Sequence, residues 1–167
     1  MILRKAEKSE IPAIWLILQQ AIEQRRLDGS EQWQDGYPNE AIIQTDIDAG
    51  YGYVLSENQE VIAYAAIILD IEPAYEIIEG KWLTSGKYVV VHRVAVKNGL
   101  KQKGAATQMF RMIEKLAVEN NVFSIKVDTN FDNIPMLRIV EKLGYTYCGE
   151  VYFNGSARKA FEKVLNQ

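Results

Sequence analysis

Apolar and polar residues recur along this chain with two different periods. The run Val89–Val96 is short and mostly β-branched, which is typical of a strand buried on both faces. After a turn that contains Gly99 and Gly104, apolar residues recur every three or four positions, which predicts an amphipathic helix. This strand, turn and helix form the unit around which the other elements are arranged. The apolar positions of the helix are Ala106, Met109, Phe110, Ile113 and Ala117.

The other elements follow from the same two periods. Two helices are predicted before the central unit and one after it, with strands at the N-terminus, in a hairpin before the unit and in three segments after it. The segment Pro73–Lys87 has no clear period, and residues 74–80 fit a helical turn or a strand. The predicted strands are Met1–Lys5, Tyr51–Ser56, Val61–Ile71, Phe123–Thr129, Tyr145–Tyr152 and Lys159–Leu165, and the helices follow Ser9, Asn39 and Asn133, with a loop over Gln24–Asn39.

Length and composition indicate one globular domain over residues 1–167. The content of 48% apolar and 25% charged residues is ordinary for a soluble protein, and a net charge of -3 gives no reason to expect nucleic acid. The N-terminus does not resemble a signal peptide, and no apolar run approaches the ~20 residues of a membrane span. A single cysteine, Cys148, excludes an intrachain disulfide and suits the cytoplasm. We expect no membrane partner, and a homodimer remains open.

Charge is distributed unevenly along the chain. Residues 27–80 contain twelve Asp or Glu and no Lys or Arg, whereas residues 81–113 contain seven Lys or Arg and no acid. A basic block around the glycine turn suits an anionic cofactor, and an acidic block before it would attract a cationic acceptor such as an amine. Chance segregation of charges on solvated faces is the alternative.

The turn before the long helix is suited to binding a diphosphate. The first turn of a helix presents unpaired backbone N–H groups and the positive end of the peptide dipoles. Gly104 lets a phosphate approach the backbone, Ala105 and Ala106 keep bulky side chains away, and nearby lysines add charge. Gly99 and Gly104 have the glycine spacing of a Walker A loop, but Ala105 and Ala106 replace its Lys and Ser/Thr, which disfavours a nucleotide hydrolase and its magnesium.

The turn resembles motif A of the GNAT superfamily of N-acetyltransferases, which reads Arg/Gln-x-x-Gly-x-Gly/Ala between a strand and a helix. Here the segment is Lys101-Gln102-Lys103-Gly104-Ala105-Ala106, so Lys replaces the first Arg or Gln. A second segment is also similar to the family: Asn133, a helix, and then Glu141-Lys142-Leu143-Gly144-Tyr145. The order of the predicted elements matches that fold from end to end.

This resemblance implies an α/β (α+β) fold with a mixed, mostly antiparallel sheet of about seven strands and helices on both faces. Two central strands would splay apart, and acetyl-CoA would lie in the splay, where its amides can pair with free backbone groups. No metal is implied. The implied cofactor residues are Val94, Ala95, Val96, Lys101, Gln102, Lys103, Gly104, Ala105, Ala106, Thr107 and Asn133, the last of which is alternatively a plain helix cap.

Acetyl transfer to an amine requires a base. His92 is the only histidine and lies three residues before Ala95, and histidine titrates near neutral pH, so it is the first candidate. The alternatives are a core histidine paired with a carboxylate or backbone group, and a water relay to Glu76, Glu79 or Asp128.

The resemblance is less informative about the acid for the leaving thiol and about the acceptor contacts. Some members carry a tyrosine acid for the leaving thiol where this chain has Val140, so that role is unassigned. Family members contact the acceptor through the loop that here contains Trp33 and Tyr37, which alternatively pack on the core.

The sequence therefore predicts an acetyl-CoA-dependent N-acetyltransferase that acts on a primary amine. Polyamines, aminoglycosides, amino acids, arylalkylamines and protein N-termini remain open as acceptors. The alternative from another class is a non-catalytic acyl-CoA-binding sensor or assembly module.

Overall fold

A computed structural model describes residues 1–100 and 103–166 of the chain. This part contains four α-helices and eight β-strands, and none of its helices is long and apolar enough to cross a membrane. The helices are α1 (Ile11–Leu27), α2 (Glu40–Asp48), α3 (Ala105–Glu119) and α4 (Ile134–Lys142). The strands are β1 (Ile2–Lys5), β2 (Gly52–Glu57), β3 (Glu60–Ile68), β4 (Glu79–Gly80), β5 (Val89–Val96), β6 (Ser124–Thr129), β7 (Thr146–Phe153) and β8 (Ser156–Val164).

The chain forms two compact units. The first consists of Met1–Ile67 and Arg93–Met112, and the second of Ile68–His92 and Ile113–Gln167. Strand β5 begins in the second unit and ends in the first, and the boundary falls between His92 and Arg93.

In the first unit the strand order is β1-β2-β3-β5. β1 and β2 are antiparallel, as are β2 and β3. Apolar residues of α1 and α2 pack on this sheet. The burial of these side chains stabilises the unit through the hydrophobic effect. The buried cluster consists of Ala6, Ile14, Ile17, Leu18, Ala21, Ile43, Val54, Tyr64 and Ala95.

In the second unit the strand order is β5-β6-β8-β7-β4. Only the β5–β6 pair is parallel here, while β6–β8, β7–β8 and β4–β7 are antiparallel. Gly80 and Gly149 lie against each other where β4 meets β7; a Cβ on either would collide with the partner backbone, so this close approach requires glycine at both positions. The core of this unit consists of Tyr75, Tyr88, Val90, Val151 and Ala160.

The predicted α+β fold with a mostly antiparallel sheet is confirmed, and three predicted boundaries are wrong by three residues or more. α1 continues to Leu27, β3 ends at Ile68 instead of Ile71, and β8 begins at Ser156 instead of Lys159. The unclear segment after Pro73 contains both predicted alternatives, a 3-10 turn over Pro73–Glu76 and the short strand β4, which raises the number of strands to eight. The single domain over residues 1–167 stays a prediction.

Candidate active site

The turn between β5 and α3 has the backbone shape that an anion cradle needs. Gly104 has φ 75°, and among the described residues other than its two chain neighbours no heavy atom lies within 4 Å of the point where its Cβ would be. The amide of Lys103 donates to the carbonyl of Leu100 at 3.1 Å, and that of Leu100 donates to Lys97 at 3.2 Å. These bonds precede α3, and the first amides of a helix have no acceptor within it, so they are free to bind an anion.

Most of the residues that open α3 have small side chains. Ala105 and Thr107 are buried, Ala106 is half-buried, and Lys103 and Gly104 are exposed. The small residues therefore face inward while the glycine lies at the surface. Lys101 and Gln102, which the sequence also assigns to this site, lie outside the described residues.

Strand β5 loses its parallel partner part-way along its length. Within the second unit it pairs with β6 only at Val89–Ile125 and Val90–Lys126, so Val91 and His92 lie beyond the end of the ladder. β6 itself continues to pair with β8 as far as Thr129. The parallel ladder between β5 and β6 therefore ends before His92. Further along β5, in the first unit, Val94 is half-buried, and Ala95 and Val96 are buried.

His92 lies between two carboxylates of the second unit. Its Nε2 is 3.0 Å from Oε2 of Glu72, and its Nδ1 is 3.7 Å from Oδ1 of Asp128. The His92 side chain retains 15% of its exposure, so it is neither sealed in the core nor freely solvated. The rings of Tyr75 and Phe153 stand edge-on to the imidazole, each with its centroid 6.0 Å away. This packing fixes the plane of the ring, so each nitrogen faces a defined partner.

Asp128 is held by a buried tyrosine. The Tyr75 hydroxyl donates to Oδ1 of Asp128 at 2.5 Å. Burial raises the pKa of Asp128, and the nearby His92 and Tyr75 partly offset that rise. Burial, reinforced by the Asp128 charge, also raises the pKa of Tyr75 well above its ordinary value. Tyr75 is therefore a neutral donor that orients the carboxylate.

Glu72 is positioned by its own backbone and by Tyr88. It precedes Pro73 at the start of the 3-10 turn and accepts a bond from the amide of Ala74 at 3.4 Å. The amide of Glu72 donates to the Tyr88 hydroxyl at 3.0 Å, and that hydroxyl donates to Glu76 at 2.9 Å. Burial, together with hydrogen bonding to Glu76, raises the pKa of Tyr88 to about 12. In this turn the Glu72 carboxylate therefore contacts His92, whereas the Glu76 carboxylate accepts a hydrogen bond from Tyr88.

Comparison with known proteins identifies the family. The model of the acetyltransferase (GNAT) family matches residues 17–145 of this chain. The chain belongs to the GNAT family of acetyltransferases. It is similar to a GNAT acetyltransferase from Streptococcus agalactiae, with 36% identity, a TM-score of 0.91, and 99% of this chain and 96% of that one covered. A comparison with curated proteins gives no significant match.

Two more distant structures share the GNAT fold. A GNAT acetyltransferase from Listeria monocytogenes is 20% identical, with a TM-score of 0.78 and coverage of 98% of this chain and 94% of that one. The yncA protein of Salmonella typhimurium, a putative acetyltransferase solved with its cofactor acetyl-CoA, is 18% identical, with a TM-score of 0.70 and coverage of 100% and 95%. At 20% and 18% identity, these two similarities show a shared fold and nothing about substrates.

Of the base candidates predicted for this GNAT protein, the structure brings together only His92 and Asp128. Glu76 is bonded to Tyr88, and the Glu79 carboxylate accepts a bond from the Tyr152 hydroxyl at 2.7 Å. Sequence reasoning missed Glu72, the hydrogen-bonding partner of His92. The signal was available, since an acidic residue directly before Pro73 is suited to cap a helical turn.

The two aromatic residues predicted to contact the acceptor differ in their surroundings. Trp33 is partly buried against the core of the first unit, as the packing alternative predicts. Tyr37 is 41% exposed, and its hydroxyl accepts a bond from Nη1 of Arg93 at 2.7 Å. Arg93 directly follows His92 in the chain. Tyr37 is therefore tied to β5, a link that the sequence did not reveal.

Three further residues named from the sequence have local contacts or burial that the structure describes. Asn133 caps α4, with its Oδ1 accepting from the amide of Met136 at 3.4 Å. Cys148 is buried, its Sγ donates to the carbonyl of Thr146, and burial raises its pKa, all of which disfavours a nucleophile. Val140 is also buried and contributes no acid. The acid for the leaving thiol thus stays unassigned.

The raised pKa of Asp128 gives a stability prediction. A carboxyl group whose pKa is higher in the folded state stabilises the fold at low pH, and this contribution is lost as pH rises through the folded pKa. Asp128→Asn keeps an acceptor for Tyr75 but removes the buried charge. At pH 8 we expect the variant to melt roughly 2–4 °C higher, the effect of about 1 kcal/mol in a domain of this size.

Calorimetric melting between pH 4 and pH 8 measures this difference. The gain should shrink as pH falls, because the wild-type carboxyl then takes up a proton. A variant that melts lower than wild type at pH 8 would contradict the assignment of a buried-charge penalty to Asp128.

Proposed function

We propose that this GNAT protein transfers the acetyl group of acetyl-CoA to a primary amine by direct attack of the amine. The observation that carries the proposal is the turn at Gly104, whose left-handed backbone leaves open space at the start of α3. A side chain there would fill the space that a diphosphate needs, and the residues that follow add only small side chains near the start of the helix. The fit of this turn to coenzyme A and membership of the family support the same function.

The residues that would hold acetyl-CoA form two groups. The turn and the first residues of α3 would bind the diphosphate through backbone amides, with lysines adding charge. The end of β5 would bind the pantetheine arm through its backbone, and yncA, solved with acetyl-CoA, supports this choice of cofactor. The proposed residues are Val94, Ala95, Val96, Lys101, Gln102, Lys103, Gly104, Ala105, Ala106 and Thr107, with Asn133 added from the family motif.

The chemistry of the protein side centres on His92. Acetyl-CoA supplies an acetyl thioester; the new bond joins the amine nitrogen to the acetyl carbon, and the bond to sulfur breaks. The amine reaches the site mostly as an ammonium ion, so a proton must first leave it. When Nε2–H of His92 donates to Glu72, Nδ1 carries the lone pair that accepts this proton. Glu72 and Asp128 then flank the imidazolium and stabilise its charge.

The proposed base and the proposed donor-binding residues are neighbours in the sequence. His92 is three residues from Ala95, which is at most about 11 Å along an extended strand. A base within that distance of the pantetheine-binding backbone can serve the amine that attacks the thioester. Trp33 and Tyr37 are proposed to contact the acceptor, while a cytoplasmic location and a homodimer remain further proposals.

A thiol-release assay tests the proposed function. Purified protein is incubated with acetyl-CoA and, separately, spermidine, kanamycin, glycine, phenethylamine or an alanine-terminated peptide. We expect at least one amine to raise the rate of thiol release above the rate without amine, with a matching acetylated product by mass spectrometry. Binding of acetyl-CoA without turnover of any amine would favour the sensor alternative, and absence of binding would contradict both.

A further inference from the structure

Arg93 has an unusual backbone for a strand residue. Its φ is 54°, whereas the other described non-glycine residues with positive φ lie in turns. A non-glycine side chain in this region is strained, and such strain persists only where the surroundings enforce it. Arg93 lies in β5 between His92 and Val94, directly before the backbone proposed to bind pantetheine. The conformation at this residue therefore sets the direction of the amides that follow.

The side chain of Arg93 shows what enforces that conformation. Its Nε and Nη2 donate to the two oxygens of Asp46 at 2.9 and 2.6 Å. The Tyr64 hydroxyl also donates a hydrogen bond to Oδ2 of Asp46, at 2.5 Å. The side chains of Arg93 and Asp46 are 10% and 3% exposed. Burial lowers the pKa of Arg93, but the bonds to Asp46 and Tyr37 more than compensate and raise it above its ordinary value.

The same guanidinium also extends to the surface. Its Nη1 donates to the hydroxyl of Tyr37, whose ring is partly exposed in the segment between α1 and α2. The Arg93 side chain thus connects three parts of the unit. It extends from β5 and bonds to α2 through Asp46 and to the 28–39 segment through Tyr37. A lysine cannot replace it, because a single ammonium lacks the planar fork that binds both Asp46 oxygens while a third nitrogen reaches Tyr37.

We propose that Arg93 is a positioning residue for acetyl transfer. Through Asp46 it fixes the left-handed backbone of β5 at the entrance to the pantetheine-binding stretch, and through Tyr37 it fixes the segment that contacts the amine. This inference rests on the proposed function, in which Tyr37 lies at the acceptor and Val94–Val96 hold the donor. It predicts that the two bonds of Arg93 have separable effects on acceptor and donor.

Two substitutions separate these effects, with one control. Tyr37→Phe removes only the bond to the 28–39 segment, and Arg93→Lys weakens both bonds. Tyr51→Phe, in the same unit but outside the cluster, is the matched control. If Arg93→Lys fails to fold, the double variant Asp46→Leu with Arg93→Met replaces the buried pair by apolar groups of similar size, which usually preserves folding.

Three measurements are made on each folded variant. Hydrogen exchange of the unliganded protein reports on the 28–39 segment, calorimetry gives the affinity for coenzyme A, and initial rates give kcat and both KM values with the best amine. For Tyr37→Phe we expect exchange in residues 28–39 to rise about fivefold and the amine KM to rise about tenfold with kcat unchanged. Its affinity for coenzyme A should equal that of wild type.

Arg93→Lys should show the same changes and, in addition, about fivefold weaker coenzyme A binding. The double variant should behave like Arg93→Lys, and Tyr51→Phe like wild type. Unchanged exchange in residues 28–39 in both single variants, or unchanged KM values in Arg93→Lys, would overturn the inference. If wild type binds no coenzyme A, the proposed function fails, and the exchange measurement still decides whether Arg93 holds the segment.

Discussion

Gly104→Glu is expected to weaken coenzyme A binding by about a hundredfold or more, a loss of at least ~2.8 kcal/mol. The substitution places a carboxylate where the first amides of α3 and the nearby lysines should meet a diphosphate, so the like charges repel and the open space is filled. Titration calorimetry with coenzyme A measures the loss.

The controls for Gly104→Glu separate charge from backbone strain. Gly104 has φ 75°, so any side chain there costs about 1–2 kcal/mol of stability. Gly155, in the turn between β7 and β8, has φ 76° and equally open space. Gly155→Glu therefore has the same strain and charge and should bind coenzyme A like wild type. Equal losses in the two variants, or none in Gly104→Glu, would refute the phosphate turn.

His92→Gln is expected to lower kcat by about a hundredfold, within the range of a general base. Glutamine fills similar volume and still forms hydrogen bonds, but it does not accept a proton near neutral pH. In wild type, kcat/KM should fall at low pH, because a protonated imidazole is no longer a base. The variant should lose this limb of the profile.

Further variants test the surroundings of His92. Glu72→Gln should produce a smaller decrease in kcat, since it removes a charge that stabilises the imidazolium and leaves the base in place. Tyr152→Phe, an exposed position bonded to Glu79 and Glu150, is the matched control and should not change the pH profile. A wild-type profile in His92→Gln would show that another group takes the proton.

The sequence predicted the central unit well because its signals are local. The β-branched run of β5, the left-handed glycine before α3 and the 3.6-residue period of that helix each depend on neighbours in the chain. The same holds for the cap at Asn133. The strand, turn and helix of the central unit could thus be predicted from local signals, whereas the cofactor residues assigned to it stay a prediction.

The surroundings of His92 could be predicted only in part, because the cap formed by Glu72 has a local signal whereas its contact with His92 has none. Glu72 and Asp128 are separated from His92 by 20 and 36 positions in the sequence, and only the pairing of β5 with β6 and the turn at Pro73 bring them together. The bond from Arg93 to Tyr37 spans 56 positions. Contacts of this range depend on tertiary packing, for which periodicity carries no signal. The short strand β4 was predicted only as one of two alternatives, because two residues are too few to show a period.

The most direct test of the account compares coenzyme A with pantetheine in titration calorimetry of the wild-type protein. Pantetheine has the same thiol arm but lacks the diphosphate, so the comparison isolates the phosphates proposed to bind at the first turn of α3. We expect coenzyme A to bind at least about a hundredfold more tightly than pantetheine, or ~2.8 kcal/mol. Equal affinities, or no binding of coenzyme A, would contradict the claim that this turn anchors the cofactor.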